Sequence, residues 1–299
     1  MITDVVGGVV TPQVTWNMVR DIAQLFDYDF SRHAFAAGTV VAVVAGAVGY
    51  FVVLRALAFG AHALSHIGFA GAAGAGVVGA DAVVGMLLFT VGGGSAIGLL
   101  GTRVRERDVA IGTVLAFMLG LGALFLQLYR GNVNNTYALL FGDIYGVSAL
   151  ALLITLAAGA ATLLALACIY RPLLFASLDD EVAAARGVPV RAVGVMFMVL
   201  LALAVSDAVQ VVGVLLVFGL LVTPAAISER LTARPARGLL LSSLLALLFT
   251  WLGLAVAYYA PGPPSFYITT FSFVTYVAVR VGTGMRERAR GALPVLESL

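Results

Sequence analysis

Apolar runs of about 20 residues recur from residue 34 to residue 281, and each can cross a ~30 Å hydrocarbon core as a helix. In lipid every backbone N–H and C=O must find its partner inside the protein, which leaves only helices and closed barrels. Barrel strands would alternate apolar and polar residues over ~10-residue segments, and this chain shows no such alternation. Only 11% of its residues are charged, against roughly 25% in soluble domains. The expected fold class is an all-α polytopic membrane protein.

Residues 1–33 are of mixed polarity. From Pro12 to Phe30, Val14, Met18, Ile22, Leu25 and Phe26 recur at helical spacing opposite Arg20, Asp21 and Gln24. That pattern reads as an amphipathic extracytoplasmic helix lying in the interface, an anchor or a docking element. A transmembrane domain follows over 34–283, and 284–299 form a basic tail. The expected spans are 34–54, 56–79, 82–101, 109–129, 147–170, 190–205, 209–231, 238–259 and 266–281, with turns at Ser206–Asp207 and at Ala260–Ser265. The count is nine, or eight if a short span is re-entrant.

All seventeen basic residues are arginine. With the polar segment 171–191 facing the cytoplasm, fourteen of them lie inside, and only Arg20, Arg32 and Arg130 lie outside. This positive-inside sorting puts the N-terminus outside and the C-terminus inside; an eight-span chain breaks it at one end. The absence of lysine has a chemical consequence too. A P-loop needs its Lys on the nucleotide phosphates, so any ATP hydrolysis belongs to a partner. The single Cys168 excludes an intrachain disulfide. No Arg precedes Arg20, so the start lacks the basic region of a cleavable signal peptide.

Within the membrane, ionisable residues are functional candidates by default. His62 and His66 stand at i and i+4 on one helix face, the spacing at which two imidazoles reach one metal ion. Counted from Arg55 they lie roughly 10 and 16 Å into the core. Hydrogen bonding across a helix interface would account for them equally well. Ser65 sits on a neighbouring face, and the same helix continues in Gly and Ala, suited to close packing. Pro224 interrupts a span and frees a carbonyl near residue 220, either as architecture or as a gate hinge. Asp81 and Asp207 fall at expected external turns, where turn chemistry accounts for them about as well as a role in metal entry does. Asp143 suits a helix N-cap better than a contact with a delivery protein.

The island Arg171–Arg191 opens with Asp179, Asp180 and Glu181, runs through small residues including Ala184, and ends at Arg186, Gly187, Val188 and Pro189. Acids favour a helix N-terminus and glycine a helix end, so a short helix fits, as does a plain solvated turn.

Three stretches in this order carry a family resemblance: His62-Ala63-Leu64-Ser65-His66; the LFGD segment from Leu140 to Ser148; and the loop Asp180–Val188 with the helix Val212–Ala226. The chain resembles the membrane permease subunit of ATP-binding cassette (ABC) importers for zinc, manganese or iron. The resemblance implies a type II importer-like transmembrane domain, with no nucleotide site or permanently bound cofactor of its own. It also implies a second copy of the chain, a cytoplasmic ATPase dimer and an extracytoplasmic metal-binding protein. The cargo would be a divalent transition-metal ion, and the locale a bacterial-type cytoplasmic membrane. Segment 171–191 becomes the ATPase coupling loop. Metal coordination is implied for His66, and by position alone for His62, where the family usually has an acid. Imidazole in place of that oxygen should favour Zn over Mn. The alternative is a proton-coupled secondary transporter of a small cation, which would more often show inverted repeats. An intramembrane enzyme lacks any HExxH motif.

Overall fold

Glycine decides where two of the central helices meet. In the computed structural model, Gly213 takes φ 79° and ψ 160°, and the helices on either side of it end and begin there. The structure describes residues 5–6, 9–10, 23–100, 104–128, 142–260 and 262–292. Two short strands, β1 (Val5–Val6) and β2 (Val9–Val10), pair antiparallel near the start. Most of the amphipathic stretch expected from Pro12 onward lies outside the described residues, as do Leu140 and Phe141 of the LFGD motif.

The helices are α1 (Asp29–Leu54), α2 (Ala58–Val77), α3 (Ala82–Leu100), α4 (Val104–Leu128), α5 (Ala149–Leu178), α6 (Asp180–Ala185), α7 (Val190–Val212), α8 (Val214–Leu231), α9 (Pro235–Tyr259) and α10 (Pro264–Ala292). A 3₁₀ turn, Ile144–Gly146, precedes α5. Six of these helices are long and apolar enough to cross a membrane: α1, α3, the Asp108–Leu128 part of α4, α5, α7 and α9.

α1 is the axis of the bundle, with α5, α7, α8 and α9 packed around it. Lipid offers no hydrophobic drive for helices to associate, so close packing of small residues must supply the attraction. α1 follows that rule: a methyl group at Gly46 would collide with the Ser243 backbone of α9, and one at Gly49 with the Leu221 carbonyl of α8. Polar locks add to the seam. The Ser242 hydroxyl donates to the Gly46 carbonyl at 2.8 Å, and the Trp251 indole donates to Thr39 Oγ1 at 2.9 Å. On the other side of the bundle α2 packs against α3 and α4, and also against α7 and α8.

Two expectations are corrected. Ser206 and Asp207 form no turn; both are buried inside α7, which continues to Val212. The Ser206 hydroxyl has an intramembrane partner in Thr90 Oγ1 of α3 at 2.6 Å, so the helix has no reason to open there. Gly213, with no Cβ to forbid positive φ, takes the break instead. The span expected to end at Tyr170 also continues, passing through Arg171 and Pro172 to Leu178. Arg171 is exposed, and its long aliphatic stem lets a charged residue extend a membrane helix into the headgroup layer.

Candidate functional site

The turn into α2 is tight. Arg55 caps α1, Ala56 sits at φ 53° in the left-handed region, and the Leu57 amide reaches back to the Val52 carbonyl at 2.7 Å. α2 then starts at Ala58 and presents His62 and His66 one turn apart. Their ring centres are 4.7 Å apart and nearly perpendicular, at 82°. Two imidazoles sharing one tetrahedral ion through bonds of about 2.0–2.1 Å put their ring centres about 5 Å apart. The spacing of the pair is close to that value.

Both histidines are half-buried. Phe218 of α8 lies edge-on to His62, 5.3 Å between ring centres, and walls one side of the pair. Ser65 does not join it: its hydroxyl bonds back to the Ala61 carbonyl at 3.2 Å inside the packed seam. Among the described residues no third His, Cys, Asp or Glu stands near enough to complete a metal site.

The acidic residues divide by role. Asp81 accepts from the Val83 amide at 2.8 Å and opens α3, while Asp143 accepts from the Gly146 amide at 3.0 Å and opens the 3₁₀ turn. Both are turn and cap residues. Asp207 is different. It is 3% exposed, neither carboxylate oxygen has a well-formed hydrogen bond, and the Thr155 hydroxyl of α5 faces it. Reading Ser-Asp as a turn hid this group; the uninterrupted apolar run on both sides was the signal against that reading.

Segment 171–191 resolves into the end of α5, the six-residue helix α6 and a glycine turn. The Asp179 side chain accepts from the Val182 amide at 2.9 Å, and Asp180 and Glu181 occupy the first turn of α6. Gly187 takes φ 82° and closes it. Ala183 is fully buried against the bundle, whereas Asp179, Asp180, Glu181, Ala184, Arg186 and Gly187 are exposed and Val188 is partly so. α6 thus presents an acidic, one-sided ridge. Pro224 is buried within α8, which runs through it unbroken. Its missing N–H leaves the Leu220 carbonyl without a helical donor.

Sequence reading missed two residues here. Phe218 looked like one more apolar residue of α8, and nothing local marks its contact with His62. Arg55 served only as a span boundary, yet its guanidinium bonds Ser177 Oγ, 122 residues away, at 3.3 Å.

Residues 27–282 match the family described as the ABC 3 transport family. The manganese transport system membrane protein MntC of Halalkalibacterium halodurans is 34% identical over 220 residues, covering 73% of this chain and 75% of that protein. The manganese import system permease protein ScaB of Streptococcus gordonii is 31% identical over 243 residues, covering 81% of this chain and 87% of that protein. The solved structure of PsaBC from Streptococcus pneumoniae in complex with Fab superimposes with a TM-score of 0.78 at 29% identity, covering 88% of this chain and 95% of that one.

Proposed function

Because the chain belongs to the ABC 3 transport family, we propose that it is the permease subunit of an importer that moves divalent transition-metal ions into the cytoplasm. The observation that carries this reading is the His62–His66 pair, at 4.7 Å between ring centres on one face of α2. Manganese is the cargo named for the relatives; zinc and iron are the other ions this donor set would take. A lone pair of imidazoles holds an ion loosely enough to pass it on, and a second copy of the chain would supply the missing ligands across a two-fold axis. His62 is the residue that tunes the choice, since nitrogen donors shift preference from Mn toward Zn.

In this reading the nine long helices among the described residues all span the membrane, with the N-terminus outside and the C-terminus inside. Residues 1–33 then lie outside, 34–283 form the permease domain and 284–299 the cytoplasmic tail. The chain has no lysine for a phosphate-binding loop, so hydrolysis falls to a separate ATPase dimer. The acidic face of α6, Asp179 to Glu181 with Ala184, Arg186, Gly187 and Val188 behind it, is its handle. An extracytoplasmic metal-binding protein delivers the ion, and Pro224 is the hinge at which α8 bends around the path.

The test is ATP hydrolysis and metal uptake by the complete complex in lipid vesicles, with Mn, Zn and Fe offered in turn. Uptake should need ATP and disappear in His66→Ala, and His62→Asp should shift preference toward Mn. Asp180→Arg with Glu181→Arg should abolish co-elution with the ATPase. Uptake by the chain alone under a pH gradient would overturn the proposal.

A further inference from the structure

The Arg55 guanidinium sits where three helices converge behind α6. It donates through Nη1 to Ser177 Oγ at 3.3 Å, and Ser177 in turn donates to the Leu173 carbonyl at 2.6 Å. Ser177 is two residues before the Asp179 cap of α6, so Arg55 grips the last turn of α5. A Cβ added at Gly194 would lie 3.8 Å from Arg55 Nη2, which sets the same guanidinium against the first turns of α7. α6 is packed between these two helix ends and has fully buried Ala183 as its inner contact. The guanidinium therefore bonds the α5 arm of α6 and lies alongside its α7 arm.

The other end of Arg55 is backbone. It is the cap residue of α1, and α2 begins three residues later through Ala56 and Leu57. Ala56 at φ 53° is a stiff elbow, since a residue with a Cβ holds that conformation only when its surroundings fix it. The Leu57 amide bond to Val52 and the 2% exposure of Leu57 supply that fixing. His62 follows about one turn into α2. A short, rigid path thus runs from α6 through Ser177 and Arg55 to the histidine-bearing helix.

We propose that Arg55 is a positioning residue that carries displacement of the α6 segment to α2, linking the ATPase-facing handle to the His62–His66 pair. This rests on the permease reading above. A fork-shaped, permanently charged donor suits such a strut, because it can hold two neighbours at once in fixed directions.

The experiment compares ATP hydrolysed per metal ion taken up by the reconstituted complex, for wild type, Arg55→Gln, Arg55→Lys, Ser177→Ala and the Arg55→Gln/Ser177→Ala pair. Each variant is first checked for co-elution with the ATPase and for its unfolding midpoint. Arg55→Gln should keep ATP hydrolysis while uptake falls, raising the ratio roughly tenfold. Ser177→Ala should shift it the same way, and the pair should match Arg55→Gln alone because both remove one link. Arg55→Lys should recover part of the coupling. Parallel loss of hydrolysis and uptake at constant ratio would overturn the proposal, as would an unchanged ratio. A wild-type complex without ATP-driven uptake would instead sink the permease reading itself.

Discussion

Gly49 of α1 and the Leu221 carbonyl of α8 are in direct backbone contact, with no room between them for a methyl group. Two helices this close gain dispersion and weak backbone attraction that lipid cannot replace. Gly49→Ala should therefore push α8 off α1 at a cost of about 1–3 kcal/mol. The check is the thermal unfolding midpoint in detergent. Gly92, beside which an added Cβ meets nothing within 4 Å, is the control, and Gly92→Ala should leave the midpoint unchanged or higher.

Ala56 lies at φ 53°, a conformation that costs an L-residue with a Cβ roughly 1–2 kcal/mol. Ala56→Gly relieves that cost but adds unfolded-chain entropy. The net expectation is a gain of up to about 1 kcal/mol. A lower midpoint in the glycine variant would show that the elbow carries no strain.

Asp207 is buried among apolar residues without a well-formed hydrogen bond to either oxygen. Asp207→Asn keeps the shape and gives Thr155 a donor to accept from. Its unfolding midpoint should rise, by the equivalent of about 1–3 kcal/mol. A fall would show that the fold favours the carboxyl group over the amide at this position.

Tyr145, in the 3₁₀ turn outside the spans, donates its hydroxyl to the Leu254 carbonyl at 2.8 Å. Burial raises its pKa above the ordinary value of 10.0, and neighbouring Tyr258 adds to the rise. The protonated phenol is thus favoured by folding. Its contribution is complete below pH 10 and is lost as pH climbs from there toward the raised folded value. Tyr145→Phe should cost about 1 kcal/mol at neutral pH and flatten the alkaline limb of a midpoint-against-pH curve. An alkaline limb as steep as that of wild type would refute the assignment.

Asp179 caps α6 through the Val182 amide. Asp179→Ala should remove about 1 kcal/mol of local helix stability and speed amide exchange across Asp180–Ala185. The unfolding midpoint of the bundle should stay put, because only Ala183 ties α6 into the core. Unaltered exchange would remove the cap from the account.

Where the sequence was legible, one local physical rule was enough. Apolar length marked the helices, i and i+4 spacing put His62 and His66 on one face, and the Asp179–Gly187 chemistry bounded α6. The family match over residues 27–282 agrees with the resemblance carried by those motifs. Asp207 was misplaced because Ser-Asp favours turns locally, whereas the deciding partner, Thr90, lies 116 residues from Ser206. The α5 overrun past Tyr170 and the Arg55–Ser177 bond were invisible for the same reason. Each depends on which helix end happens to lie alongside, and no periodicity encodes that.

The seam between α1 and α9 joins residues made far apart in time. Ser242 bonds Gly46 across 196 residues of chain. At ribosomal speeds of about 5–20 residues per second, α9 is finished roughly 10–40 s after its partner. For that interval the glycine-lined face of α1 is in the bilayer without its closest neighbour. α1 is therefore made long before it is locked, and its open groove is where an insertion chaperone, or a wrongly paired nascent helix, would find purchase.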